Sequence, residues 1–233
     1  MNASPILITI AVLGGTGKEG KGLALRWAKA GYHILIGSRS IEKAKATAQE
    51  IVEQLGGKAF VDGTSNIKAA YIADIVVLTV PFSAHRPTLE EVKDSLQGKI
   101  LVDVSVPLVP PNVGRVQMPP DGSAAQEAHA ILGEKVQVTS AFQNISFGQL
   151  LREESIECDV LVTGTSKEAR SETLKLVYAA GLTGWDAGPI ENSAVVEGLT
   201  SLLININKQY GTRNAGIRVT GVPVKLSESM DAI

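Results

Sequence analysis

The stretch Ile8 to Gly20, ITIAVLGGTGKEG, constrains this chain more than any other, because Gly15-Thr16-Gly17-Lys18-Glu19-Gly20 directly follows an apolar run that reads as a strand, Leu7 to Leu13. A glycine triplet at this spacing is common, but here a helical stretch, Lys18 to Ala30, follows it, and a second strand, His33 to Gly37, completes a βαβ unit. That context identifies a dinucleotide-binding turn. Gly15 lets the chain turn sharply, Gly17 leaves room for a pyrophosphate, and Gly20 lets helix and strand approach. The free N–H groups that open the helix would hold the phosphates.

The end of the second strand tells which dinucleotide is expected. NAD-binding units usually place a carboxylate there to bind the ribose 2′-OH, whereas this chain reads Ile36-Gly37-Ser38-Arg39-Ser40. Arg39 offers a planar fork of donors matched to phosphate oxygens and Ser38 adds a hydroxyl, so the segment favours NADP. Lys43 lies four residues beyond Arg39, and a helix beginning near Ser40 would turn it toward the same anion.

The remainder of the chain alternates in the same way. The sequence predicts a helix over Ile41 to Leu55, a short strand over Lys58 to Val61, a helix over Asn66 to Ala73 and a buried strand over Asp74 to Val80. A helix over Thr88 to Leu96 and a strand over Lys99 to Val104 come next, then a helix over Ala124 to Leu132 and a sixth strand over Lys135 to Phe142. This pattern implies an α/β fold, a Rossmann-type doubly wound parallel sheet, with ligands gathered at strand C-termini where the strand order switches. Val80-Pro81 and Ser105-Val106 are expected to border the cofactor. A strand over Asp159 to Thr163, a helix over Ser166 to Ala180 and a short strand over Thr183 to Ala187 begin a smaller C-terminal α/β domain. The expected division is 1–150 for the nucleotide domain and 151–233 for the small domain, which completes a substrate cleft. Asn192 to Tyr210 carries Val195, Val196, Leu199, Leu202, Leu203 and Ile206 at helical spacing, an apolar face for interdomain packing or for a homodimer interface. Val222 to Ile233 reads as a loosely held tail.

Composition limits the function classes. The 233 residues include 44% hydrophobic side chains, enough for a sizeable core, and the formal charge of −2 comes without a basic block, which argues against a nucleic-acid partner. No apolar run approaches the ~20 residues needed to cross a bilayer. With no secretory leader pattern in Met1 to Pro5, a cytoplasmic location is expected. The single cysteine, Cys158, forms no internal disulfide and reads as a buried apolar residue, and without a Cys/His cluster no metal site is expected.

Taken together, AVLGGTGKEGKGLALRWAKAGYHILIGSRSIEKA, VVLTVP, VTSAF and WDAGPIENSAVVEGLTSLLININ resemble the NADPH-dependent coenzyme F420 reductases, also called F420H2:NADP oxidoreductases, over roughly residues 6 to 219. The resemblance implies a dinucleotide domain, a small second domain and a deazaflavin in the cleft between them, its C5 against nicotinamide C4. It places Thr16, Gly17, Lys18 and Glu19 over the pyrophosphate, and Ser38, Arg39 and Lys43 at the 2′-phosphate. It assigns Asn192 and Ser193 to polar positions near the deazaflavin. Where archaeal members of the family carry His-Thr-Ile-Pro after the sixth strand, this chain has Phe142-Gln143-Asn144-Ile145, so Gln143 and Asn144 would meet the ring edge with groups that hydrogen-bond but do not titrate near neutrality.

Hydride transfer between two bound rings asks mainly for proximity and orientation, so no catalytic acid–base residue is expected. The expected activity is an oxidoreductase moving hydride between NADP(H) and coenzyme F420. Two alternatives stay open: an NADPH-dependent reductase of another acceptor (a flavin, a metal chelate or an imine), and a non-catalytic NADP-sensing module. Of three histidines, His33 and His129 read as structural or surface residues. His85, just after the fourth strand, is either a loop histidine in water or a cofactor contact.

Overall fold

The computed structural model describes residues 8–152 and 154–222. Its strands are β1 (Thr9–Leu13), β2 (His33–Ser38), β3 (Val61–Ser65), β4 (Ile75–Leu78), β5 (Ile100–Asp103), β6 (Gln137–Ser140), β7 (Asp159–Gly164) and β8 (Thr183–Pro189). The helices are α1 (Lys18–Lys29), α2 (Ile41–Gln54), α3 (Asn66–Ile72), α4 (Phe82–Val92), α5 (Ala124–Leu132), α6 (Phe147–Leu150), α7 (Lys167–Ala179) and α8 (Ser193–Tyr210). The strands form one sheet in the order β3-β2-β1-β4-β5-β6-β7-β8, parallel at every pairing except β6 with β7. Chain order reverses at β1, which pairs with β2 on one side and β4 on the other. This opens a crevice beyond the C-terminal ends of β1 and β4.

Helices cover both faces, so the central strands are continuously apolar. Ile10, Val12, Ile34 and Ile36 pack with Leu23 and Trp27 on one face, while Ala11, Leu13 and Leu35 pack with Leu89, Val92 and Leu101 on the other. The alternation follows from the period of two along a strand.

The structure differs from the sequence expectation at three places. β3 is displaced to Val61–Ser65, and Gly63 lies where α2 passes the strand: a Cβ there would stand 2.3 Å from the carbonyl carbon of Ala44. α4 starts at Phe82 rather than Thr88 and contains Pro87, and a 3₁₀ turn, Lys93–Leu96, continues it. Residues 159–189 do not build a sheet of their own; β7 and β8 extend the first one.

The crossing to β7 is fastened by Arg26 of α1, whose Nε donates to Leu150 O (2.9 Å) and whose Nη1 donates to Ala180 O (2.8 Å). Its Nη2 donates to Gln149 O (3.1 Å) and Arg152 O (2.9 Å). A charged donor on several carbonyls is stronger than neutral pairs, and it ties the α6 turn and the end of α7 to α1. Among the described residues no helix is long and apolar enough to cross a membrane. Of the expected C-terminal tail, residues 223–233 lie outside the described residues.

Candidate active site

The glycine turn follows β1 closely. Gly14 N and Gly15 N both donate to Gly37 O (3.0 and 3.2 Å), and Gly17 N donates to Gly14 O (2.9 Å). Gly17 caps α1 without a side chain, unlike α2, α3, α5 and α7, whose first turns are capped by serines. The first amides of α1 are therefore open to an anion. A Cβ on Gly17 would meet only Gly14 O, at 3.3 Å, so the space above it is clear, whereas one on Gly20 would fall 2.5 Å from Thr79 Oγ1 and 2.8 Å from Gly15 Cα. Gly20 and the buried Gly15 thus serve the strand–helix approach, and Gly17 faces the ligand space.

Two cavities lie over this turn. The smaller, about 370 Å³, is bordered by Thr16, Ser38, Arg39 and Asn66 on one wall and by α4 residues including Ala84 and Pro87 on the other. The larger, about 740 Å³, is bordered by Lys18, Glu19, Ser105, Val106, Gln143 and Asn144, among others. Gly17, Thr79, Val80, Pro81 and Ser83 border both, so the two spaces are continuous. A long two-ended ligand fits such a groove: donors and open helix amides at one end, a wider apolar chamber at the other.

The segment after β6 shapes the chamber. Phe142 adopts φ 74°, alone among the described non-glycine residues, and its buried ring meets Trp27 edge-on with centroids 5.8 Å apart. Such a strained residue persists only where packing over-determines it. The turn brings Gln143 Nε2 to Asp103 O (2.7 Å) and Ser140 Oγ (2.8 Å), and Asn144 Nδ2 to Asp159 O (2.7 Å). Both carboxamide nitrogens are thus spent inward, while Gln143 Oε1 and Asn144 Oδ1 are buried without a hydrogen-bond partner. Thr200 of α8 donates to Gln143 O (2.8 Å), locking the segment against the last helix.

Not every expected residue meets the groove. Ser193 is fully buried and paired with Thr163 Oγ1 at 2.6 Å, and Asn192 donates to Ala187 O at 2.7 Å, closing the junction between β8 and α8. Neither borders either cavity; α8 instead contributes Thr200, Leu203, Ile204 and Asn207. Polar Thr200 and Asn207, seven residues apart on a largely apolar face, were the available signal. Lys43 is exposed and outside the cavity wall.

His85 is neither in water nor on the wall of either cavity. It is fully buried, with Nδ1 2.9 Å from Glu127 Oε1 and Nε2 2.7 Å from Asp103 Oδ2. Burial alone disfavours its imidazolium, but the Asp103 and Glu127 carboxylates outweigh this and raise its pKa to about 9. Asp103 Oδ1 also accepts from Ser105 N (2.9 Å), so this buried charge cluster backs the chamber wall. Glu197 of α8 accepts from Ala124 N (2.7 Å) and Ala125 N (3.1 Å) at the start of α5. Burial and the nearby Asp103 push its carboxyl up to about 8, although the two amide donors pull the other way. Glu19 has a buried Oε1 with no partner, and burial raises its pKa to about 8. The burial of Asp103, Glu127 and Glu197 has no local signal, because an acidic residue reads as surface when its partners are distant in the chain.

A family profile described as "NADP oxidoreductase coenzyme F420-dependent" matches residues 9–107. The chain is 40% identical to the F420-dependent NADP reductase of Methanothermobacter thermautotrophicus, over 94% of this chain and 97% of that protein. It is 39% identical to the enzyme of the same name from Methanocaldococcus jannaschii, over 92% and 99%. A crystal structure from Arthrobacter sp. FB24 shares the fold with a TM-score of 0.76 at 23% identity, covering 91% of this chain and 99% of that one. The chain belongs to the F420-dependent NADP reductase family.

Proposed function

We propose that this protein is an oxidoreductase that moves hydride between NADP(H) and coenzyme F420 within the groove over β1 and β4. The observation that carries this reading is the continuity of an uncapped helix start and an Arg39/Ser38 wall with a wider, mostly apolar chamber. When bound, the two coenzymes supply the donor and acceptor carbons themselves, and the protein's task is to hold them.

The residues suit that task. The first amides of α1, with Thr16 and Lys18, would bind the pyrophosphate, and the open space above Gly17 admits it. Arg39 and Ser38 would hold the 2′-phosphate, while the exposed Lys43 would add only a distant charge. Val80, Pro81 and Val106 exclude water where the rings would meet. Gln143 and Asn144, with their donors fixed inward, would place acceptor oxygens behind the ring edges, and Thr200 holds that segment in place. Residues 1–150 would supply the nucleotide half and residues 151–233 would close the chamber through α8; Asn192 and Ser193 would then support α8 rather than touch substrate. Val195, Leu202, Ile206 and Tyr210 present an exposed apolar face of α8 suited to a homodimer. The setting would be the cytoplasm.

Rapid mixing with NADPH and purified F420 tests the reading: absorbance of the oxidised deazaflavin should vanish in proportion to NADPH consumed. Absence of any change across a broad pH range, with nucleotide binding verified, counts against it.

A further inference from the structure

Asn66 is the unexplained polar group on the wall of the smaller cavity. It is 4% exposed and borders the cavity; its Oδ1 is buried without a hydrogen-bond partner, and its Nδ2 donates to no other described residue. A carboxamide N–H group on a cavity wall that makes no hydrogen bond within the protein is available to a ligand. It is not the cap of α3, a role filled by Ser65, whose Oγ accepts from Lys68 N at 3.3 Å.

Its surroundings say what the partner is. Ser38 pairs in register with Ser65, so Asn66 stands one residue beyond the strand end that adjoins Ser38 and Arg39. Asn66 Oδ1 lies against Gly37, where a Cβ would be 3.0 Å away, and it is the fully buried atom of the carboxamide. The amide nitrogen is therefore the end left for the cavity. The opposite wall, with Ala84 and Pro87, suits the flat face of a base, whereas Ser38, Arg39 and Asn66 each bring a side chain able to donate to an anion.

We propose that Asn66 is a specificity-determining residue that donates from Nδ2 to the 2′-phosphate of the dinucleotide, completing a donor set with Ser38 and Arg39. This rests on the NADP reading above. An asparagine suits this place because the isosteric aspartate would set a negative charge against the phosphate.

Titrating NADP and NAD separately into wild type, Asn66→Asp and Asn66→Ala, each checked for an unchanged melting temperature without ligand, tests the assignment. Asn66→Asp should weaken NADP by at least about tenfold, the equivalent of one lost charge-assisted contact. NAD, which has no 2′-phosphate for Asn66 to meet, should change by less than about twofold, and Asn66→Ala should give a smaller loss confined to NADP. Equal losses for both nucleotides would mean a contact to the shared adenosine and would overturn the proposal, as would no loss for either. A wild-type protein that shows no preference for NADP would instead sink the broader cofactor reading.

Discussion

His85 Nε2 stands 2.7 Å from Asp103 Oδ2, with both side chains sealed from solvent behind the chamber wall. The pair is a buried cation held between two carboxylates, Asp103 and Glu127, and Asp103 in turn fixes Ser105 N through its side chain and Gln143 through its main-chain oxygen. Removing the imidazole leaves uncompensated buried charge, so His85→Gln should cost about 3–5 kcal/mol at neutral pH. Urea denaturation of the two proteins measures this.

The same cluster sets a pH dependence. His85 takes its proton more tightly when folded, about 9 against an ordinary 6.5, so its stabilisation is complete below 6.5 and is lost as pH rises through 9. Glu197 acts in the same direction, with full effect below 4.5 and loss through about 8. Unfolding midpoints should therefore decline from acid toward alkaline pH. Glu197→Gln should flatten the lower part of that decline and His85→Gln the upper part; a midpoint that rises with pH contradicts both assignments.

Glu19 should couple nucleotide affinity to pH. Its carboxyl, raised by burial to about 8, is mostly neutral near neutrality and so does not oppose the pyrophosphate expected beside it. Lys18 and Arg213 are the other charged side chains on the chamber wall, and Lys21 farther along α1 is paired with Glu50. As pH climbs past 8 the new carboxylate would repel the ligand, and NADP affinity should fall about tenfold, equivalent to ~1.4 kcal/mol. Calorimetric titration should show this decline in wild type and none in Glu19→Gln.

Much of the groove over β1 and β4 was legible because its signals are local. The turn at Gly15 to Gly20 and the strand end at Arg39 are each set by neighbours in the chain, and Val80, Pro81, Ser105 and Val106 fell on the groove from strand topology alone. What escaped depends on contacts between distant residues. Gly63 lies beyond the strand expected over Lys58 to Val61, at the point where α2 passes β3, and α4 begins at Phe82 and runs through Pro87 ahead of the expected Thr88. His85 reads as a loop residue or a cofactor contact until Asp103, 18 positions on, and Glu127, 42 positions on, enclose it. Asn192 and Ser193 carried the right chemistry, but the first turn of α8 is directed at β7 and β8, and the groove meets the helix two turns later.

Gly17 and Gly20 should separate binding from folding. Gly20→Ala pushes a methyl to within 2.5 Å of Thr79 Oγ1 and 2.8 Å of the Gly15 backbone, and should destabilise the fold by about 1–3 kcal/mol. Gly17→Ala meets little of the protein itself and should leave the melting temperature nearly unchanged while raising the KM for NADPH. Equal effects on melting would contradict this division.

Arg39→Ala should weaken NADPH by ~1.5–3 kcal/mol, the range for a hydrogen bond to a charged group, while NADH affinity stays close to its starting value. Fluorescence titration with each nucleotide reads the difference. Equal losses would remove the 2′-phosphate from this residue.

The central claim is direct transfer of hydride between two coenzymes held in one groove, and NADPH carrying deuterium at the transferred C4 position tests it most directly. Mass analysis of the reduced deazaflavin should find the label on its C5, with one deuterium for each NADPH oxidised. Reduced F420 without label, or NADPH bound and unreacted beside it, would contradict the account.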